Sequence, residues 1–320
     1  MPDRLKVRVA AKRTEAEDIC SFELVSTTAT PLPPFSAGSH IDVQIPGGPT
    51  RQYSLCNAGD APLSYLICVL RDHHSRGGSS SLHAYVNVGD ELTISTPRNH
   101  FPLADDASHS VLLAGGIGIT PILCMAERLA KIGSTFNLHY CTRSRARTAF
   151  LGRVTHSDFI SHTHLYFDDE AHTPRLDLGA LLESPQAGTH LYVCGPKGFM
   201  DVVLTTAREL GWPESQLHYE FFAAEQRRPT ENERFEIEIA STGKVIVVEP
   251  DQSAVQALAN AGITVETSCE QGVCGSCLTR VLAGEPDHFD VYLSEQEQEA
   301  NDQFLPCCSR AKSARLVLDL

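Results

Sequence analysis

Over the first hundred residues apolar and polar positions alternate in short runs, at 5–10, 20–25, 40–45 and 91–95. A period of two is the strand signature, because successive side chains on a strand point to opposite faces. Pro- and Gly-rich stretches separate the runs, so this part is expected to form an antiparallel barrel or sandwich. The pattern then changes. Residues 110–114 form a nearly unbroken apolar run, glycines follow at 115, 116 and 118, and apolar positions recur at helical spacing from 122 to 132. Runs at 136–141, 164–167 and 190–194 read as strands and 199–210 as a helix. Strands alternating with helices predict a parallel sheet with crossover connections. Residues 225–234 are polar and aperiodic, which predicts a linker. Beyond it, 235–240 and 244–249 form a hairpin around Thr242-Gly243. Asp251 or Ser253 caps a helix with apolar Val255, Leu258 and Ala259, and 278–282 is a strand. The expectation is a multidomain chain: a barrel at 1–103, an α/β domain at 104–224, a linker at 225–234 and a small domain at 235–320.

Composition narrows the class without naming a chemistry. With 42% hydrophobic and 21% charged residues, the 320-residue chain has the make-up of a soluble globular protein. Its N-terminus lacks a long apolar core, and no run approaches the roughly 20 apolar residues of a membrane span. Eleven cysteines are too sparse for a disulfide scaffold, and thiolate ligands imply a reducing compartment, so a cytoplasmic location is expected. The net charge is −14, and residues 229–320 hold sixteen Asp and Glu against six Lys and Arg. Nucleic acid is not attracted to such a patch. A basic protein partner would be, although solubility alone also accounts for the charge.

The most specific signal is Cys269-Glu-Gln-Gly-Val-Cys274-Gly-Ser-Cys277, with 29 residues between the last cysteine of the run and Cys307. A C-x4-C-x2-C run with a distant fourth cysteine is the ligand set of a plant-type 2Fe–2S cluster, two sulfurs to each iron. Gly272 and Gly275 permit a loop that wraps a rigid centre and points amides at its sulfurs. Cys274-Gly-Ser-Cys277 alone would also fit a zinc site or a thioredoxin-like redox pair. The x4-then-x2 spacing, the glycines and the fourth cysteine favour the cluster. By spacing alone, Cys308 competes with Cys307.

Other motifs are weaker singly. Arg51-Gln52-Tyr53-Ser54 offers a phosphate fork, a flat apolar wall and a hydroxyl. Arg51 and Tyr53 share one strand face. Arg76-Gly-Gly78-Ser79-Ser80 precedes a helical stretch at 81–86, a natural phosphate cradle. Together these point to a flavin. Gly115-Gly116-Ile-Gly118-Ile-Thr120-Pro121 links strand to helix and offers amides to a pyrophosphate, with Pro121 where a third glycine would stand. Cys194-Gly195-Pro196 ends a later strand, where a plain tight turn is the simpler reading. Cys20, Cys56, Cys68, Cys124 and Cys141 read as core fillers. His73-His74 and His162-Thr-His164 lack ligand spacing and read as surface or loop residues.

Taken in order, Arg51-x-Tyr53-Ser54, Gly115-Gly-x-Gly-x-Thr-Pro121, Cys194-Gly-Pro196, Glu220-x-Phe222 and the C-terminal cysteines resemble the phthalate dioxygenase reductase family. Its members are the reductase components of Rieske-type oxygenases, vanillate demethylase reductases among them. The resemblance covers essentially the whole chain. It implies an FMN-binding antiparallel barrel, an NADH-binding α/β domain and a β-grasp plant-type ferredoxin domain, in a monomer that meets its oxygenase transiently. It implies flavin contacts from Arg51, Gln52, Tyr53, Ser54, Cys68, Val69, Gly78, Ser79 and Ser80. Cofactor contacts are implied too from Gly115, Gly116, Gly118, Thr120, Pro121, Asp168, Cys194, Gly195 and Pro196. Thr120 is expected near the flavin–nicotinamide contact, Cys194 near the nicotinamide and Phe222 over the flavin ring. Cys269, Cys274, Cys277 and Cys307 are the implied cluster ligands. Arg143 and Arg145 are basic residues of the kind that takes the extra phosphate of NADPH, whereas the family prefers NADH.

The implied chemistry is ordered. A nicotinamide gives up two electrons together as hydride, and an iron–sulfur centre accepts one at a time, so a flavin must stand between them. A free-standing reductase of small acceptors or quinones, and a bare electron carrier with a degenerate nucleotide domain, are the alternatives.

Overall fold

A computed structural model describes residues 4–28, 30–60, 62–73, 77–170, 175–223 and 233–320. It separates into two compact units, Met1–Glu220 and Phe221–Leu320. Arg76 and His74 lie outside the described residues, as does all of the expected linker except 233–234.

In the first unit, seven strands among the described residues form one antiparallel sheet. They are β1 (Arg4–Ala16), β2 (Ile19–Ser26), β3 (Ser39–Gln44), β4 (Thr50–Ser54), β5 (Ser64–Leu70), β6 (Glu91–Ser95) and β7 (Arg98–Asn99). The order is β4-β3-β6-β1-β2-β5, with β7 on β3. A bridge between Leu55 and Ile67, just past the end of β4, ties the two edges together. Alternation sends Val7, Val9, Phe22, Leu24, Ile41 and Ile67 inward, which fills the barrel. Strand β1 is longer than the expected 5–10 run. Bulges between Val9 and Ala11 and between Thr14 and Ala16 let it bend round the barrel and keep pairing. Helix α1 (Ser79–Tyr85) starts two residues earlier than the periodicity predicts. Its C-terminal carbonyls are held by Lys12 Nζ, which donates to His83 O at 2.7 Å and Val86 O at 2.9 Å.

The same unit contains a fully parallel five-stranded sheet. Its strands are β8 (His109–Gly115), β9 (Phe136–Thr142), β10 (Thr163–Phe167), β11 (Thr189–Cys194) and β12 (Leu217–Glu220), in the order β10-β9-β8-β11-β12. Helices α2 (Ile119–Ile132), α3 (Leu151–Thr155), α4 (Leu178–Leu182) and α5 (Lys197–Glu209) lie between the strands in sequence. The order reverses at β8, so the ligand crevice of such a sheet falls at the C-terminal ends of β8 and β11. Sheet and barrel share a core, in which Cys56, Cys68 and Phe101 pack with Leu112, Ile122 and Tyr140. Arg153 pins the junction: it pairs with both Glu127 oxygens at 2.7 Å and donates to Cys56 O at 2.8 Å.

The second unit has a mixed sheet, β14-β13-β19-β15-β17, and a two-stranded ribbon of β16 and β18. The ranges are β13 (Phe235–Ile239), β14 (Val245–Val248), β15 (Thr279–Ala283), β16 (Pro286–Asp287), β17 (Gln303–Phe304), β18 (Arg310–Ala311) and β19 (Arg315–Leu318). Helices α6 (Ala254–Asn260) and α7 (Glu295–Ala300) complete it. Ser253, not Asp251, caps α6, through a capping box with Gln256. Ala254, Ala257 and Leu258 are its buried positions, and Ala259 is exposed. Leu278 precedes β15 and is exposed, so the expected strand starts one residue late.

Candidate redox sites

At the β8/β11 crevice, two turns interlock through absent side chains. A Cβ on Gly118 would overlap the Cys194 carbonyl, one on Gly115 would stand 2.8 Å from the Phe199 ring, and one on Gly195 would stand 3.0 Å from Gly115 Cα. Gly115, Gly118, Cys194, Gly195 and Pro196 are thus gathered at one place, and Gly116 takes φ +53, a conformation that favours glycine. Thr120 is buried in the first turn of α2 and donates to Ile117 O at 3.0 Å. Pro121 sits in that same turn, where its missing N–H has no intrahelical partner to lose. The result is a backbone surface at the N-terminus of a 14-residue helix, open to the close approach of a pyrophosphate.

Asp168 is elsewhere. It follows β10, two strands from β8, and its amide donates to Thr142 O at 3.0 Å. Beside it, Arg145 is engaged: its guanidinium pairs with Glu170 at 2.5 Å and lies 4.4 Å over the Phe167 ring.

On the barrel, Arg51, Tyr53 and Ser54 come from β4. The Arg51 side chain lies against Gly78, whose added Cβ would stand 3.1 Å from Nε. Thus the fork and the loop before α1 meet across 27 residues of chain. Ser79 Oγ accepts from the Asp72 amide at 3.0 Å, and Ser80 Oγ donates to Asp72 O at 3.0 Å. Gln52 Nε2 lies 3.4 Å from His40 Nε2. Tyr53 is enclosed enough that burial pushes its phenol well above the ordinary value. Cys68 and Val69 point their side chains into the two cores of this unit, and Val69 O is bonded to His83 Nε2 at 2.8 Å. Any ligand contact from that pair would use the main chain.

Barrel and crevice meet at a residue that sequence reasoning quoted but did not count as a site. Ser54 Oγ, at the end of β4, donates to Glu220 Oε2, at the end of β12, at 3.3 Å. Glu220 keeps some surface, but its carboxyl is enclosed. Burial pushes it up to about 7, with the Ser54 hydroxyl opposing. Burial and then the Glu220 charge hold the Cys194 thiol well above its ordinary value. A carboxyl at the C-terminal end of a parallel strand was the available clue. Phe222 belongs to the second unit and is 36% exposed.

In the second unit the cysteine loop runs through left-handed backbone at Glu270 (φ 51), Gly272 (φ 74) and Gly275 (φ 70). Cys269, Cys277 and Cys307 are buried and Cys274 is partly exposed. The thiols stand in two pairs, Cys269 with Cys274 and Cys277 with Cys307. Cys308 Sγ contacts Leu305 O and Ser309 Oγ, each at 3.7 Å, and also lies beside the Cys307 thiol. The Gln271 amide donates to Cys269 Sγ at 3.3 Å. Sharing a proton within each pair, together with burial, pushes Cys269 and Cys277 up and Cys274 down, and a cationic centre would favour the thiolate form of the raised thiols. Among the described residues no three His, Cys, Asp or Glu side chains converge as on a single ion. Two pairs of sulfurs fit a two-iron rhomb, whereas zinc would gather four on one point.

The fold and these sites define a flavin- and nicotinamide-linked oxidoreductase with an iron–sulfur domain. Residues 237–312 match the family described as 2Fe-2S iron-sulfur cluster binding domain. Residues 94–217 match the N-terminal domain of the dimethylamine monooxygenase subunit DmmA-like family. The chain is 51% identical to a vanillate O-demethylase oxidoreductase of a Pseudomonas species, over 99% of this chain and 100% of that one. A solved phthalate dioxygenase reductase, described as passing electrons from pyridine nucleotides to 2Fe-2S, superposes with a TM-score of 0.84 at 39% identity. That match covers 99% of this chain and 98% of the other. The FAD/NAD-binding domain of a nitric oxide dioxygenase from Vibrio cholerae matches 68% of this chain and 98% of its own, at 27% identity and a TM-score of 0.61. The chain belongs to the phthalate dioxygenase reductase family.

Proposed function

We propose that this protein is the reductase component of a vanillate O-demethylase type of oxygenase system. Electrons enter as hydride from NADH, pass through FMN to a 2Fe–2S cluster, and leave one at a time to a Rieske-type oxygenase in the cytoplasm. The observation that carries the reading is the end-to-end identity with a vanillate O-demethylase oxidoreductase, joined to paired sulfurs in the cysteine loop. Among the described residues no helix is long and apolar enough to cross a membrane.

The residues divide the work as follows. Arg51, against Gly78, holds the FMN phosphate, and Ser79 and Ser80 shape the loop beside it. Gln52, Tyr53 and Ser54 line the flavin, with the main chain of Cys68 and Val69. Gly115, Gly116, Gly118, Thr120 and Pro121 admit the NADH pyrophosphate to the α2 N-terminus. Cys194, Gly195 and Pro196 border the nicotinamide, and Asp168 lies along the nucleotide. Glu220 accepts the Ser54 hydroxyl hydrogen bond at Oε2, and its carboxyl, raised by burial, titrates near neutral pH; the pair fixes that hydroxyl beside the reacting edge. When bound, the flavin supplies the conversion between an electron pair and single electrons. Cys269, Cys274, Cys277 and Cys307 hold the cluster.

Reconstitution tests the reading. The purified protein, NADH and a purified vanillate oxygenase should O-demethylate vanillate, and omission of this protein should abolish turnover. Equal turnover without it sinks the proposal. NADH-driven reduction of quinones at full rate with no delivery to any oxygenase would point to the free-standing reductase instead.

A further inference from the structure

One buried charge in the second unit has no part in ligating anything. Asp290 has a side chain with 0% exposure, and the His288 ring beside it has 6%. His288 Nδ1 stands 3.5 Å from Asp290 Oδ1, too poorly aligned for a hydrogen bond. Asp290 Oδ1 also accepts from Ser309 Oγ at 3.2 Å, and Oδ2 accepts from the Leu293 amide at 2.8 Å. Burial pushes the Asp290 carboxyl up, but His288, the Leu293 amide and Ser309 together outweigh it and hold the group below the ordinary carboxylate value.

The surroundings of this group are the two ligand-bearing segments. Ser309 closes the turn that carries Cys307: its amide donates to Leu305 O at 2.9 Å, and its hydroxyl also accepts from the Phe289 amide at 3.2 Å. The stretch around Asp290 then runs along the three-cysteine loop. The Val291 amide donates to Gly272 O at 3.1 Å. A Cβ on Gly275, between Cys274 and Cys277, would overlap the Tyr292 ring. Leu293 packs in one apolar cluster with Cys277, Leu305 and Cys307. Residues 288–293 therefore bridge the loop of three cysteines and the turn of the fourth, and Asp290 is the polar anchor of that bridge.

An aspartate that only shaped a turn could stay in water and accept the amide three residues on. Burying the charge is costly, and an apolar pair of equal volume is often no less stable. A retained buried carboxylate beside a redox centre has an electrostatic consequence. Reduction adds one negative charge to a centre already carrying four thiolates, and fixed negative charge nearby opposes it. Groups one step behind the ligands also fix ligand geometry.

We propose that Asp290 is a positioning residue for the iron–sulfur centre, which fastens the Cys307 turn to the three-cysteine loop and lowers the reduction potential of the cluster. The proposal rests on the cluster assignment above, and its test separates the two. Asp290→Asn keeps the shape and removes the charge. The whole purified protein and this variant are compared by EPR-monitored redox titration and by the rate of iron loss to a chelator. The midpoint potential of the variant should move upward, and iron loss should quicken on the order of 10-fold, as for other groups behind metal ligands. A variant with wild-type potential and wild-type iron retention overturns the proposal. A purely structural role would lower melting temperature and leave the potential of the loaded fraction unmoved, which also overturns it. A wild-type protein with no 2Fe–2S signal would instead sink the cluster assignment. Should Asp290→Asn fail to fold, Ser309→Ala removes the hydroxyl that joins Asp290 to the Phe289 amide, and unchanged iron release there overturns the proposal.

Discussion

Glu220 gives the sharpest quantitative handle on the flavin–nicotinamide junction. Its carboxyl is pushed from 4.5 to about 7 by burial, against one opposing hydrogen bond from Ser54. A raised carboxyl binds its proton more tightly when folded. Stability from this group is therefore fully present below about pH 4.5 and is lost as pH rises through about 7. A shift of about 2.5 units corresponds to about 3 kcal/mol at alkaline pH, an upper figure for an enclosed group. Glu220→Gln removes the titration and keeps an acceptor for Ser54. Denaturant unfolding from pH 5 to pH 8.5 should show the wild type losing stability relative to the variant as pH rises, with the two curves meeting at the acid end. The same variant should flatten the pH dependence of NADH-driven flavin reduction between pH 6 and 8. A constant stability difference across pH, or a wild type that gains relative to the variant as pH rises, would refute the burial argument.

Other outcomes follow from the same geometry. Cys274→Ser should abolish the visible absorption of the cluster and leave flavin reduction by NADH largely intact; loss of flavin in that variant would show that the two centres are not modular. Arg51→Ala should strip FMN during purification, because it deletes the phosphate fork that lies against Gly78, and a full flavin complement would count against the assignment. Gly275→Ala should cost about 1–3 kcal/mol and lower cluster occupancy, since φ +70 disfavours a side chain and the Tyr292 ring fills the space; an unchanged melting curve and iron content would contradict this. Electron delivery to the oxygenase at subsaturating partner should fall as salt rises while flavin reduction changes much less, given sixteen acidic against six basic residues in 229–320. Equal salt dependence of the two rates would remove the case for charge steering.

Much of the architecture was legible because it rests on short-range pattern. Alternation in β2, β3 and β6 and the unbroken apolar run of β8 reflect which faces are buried, one for a barrel strand and two for a central parallel strand. The cysteine loop was legible because four ligands and two turn glycines leave little freedom in spacing. What escaped depends on contacts distant in sequence. Ser54 and Glu220 are 166 residues apart, and nothing in either neighbourhood announces the other. Asp290 reads as one acidic residue among many until the fold buries it beside His288 and Ser309. What favours Cys307 over Cys308 is likewise a contact distant in sequence: the Cys307 thiol meets Cys277, whereas Cys308 Sγ donates to Leu305 O.

The central claim is the order of electron flow, and rapid anaerobic mixing with NADH tests it most directly. Flavin absorbance should bleach first, the cluster should be reduced afterwards at a rate independent of NADH concentration, and Cys274→Ser should show only the first phase. Cluster reduction that precedes flavin bleaching, or that persists unchanged in protein stripped of flavin, would contradict the account.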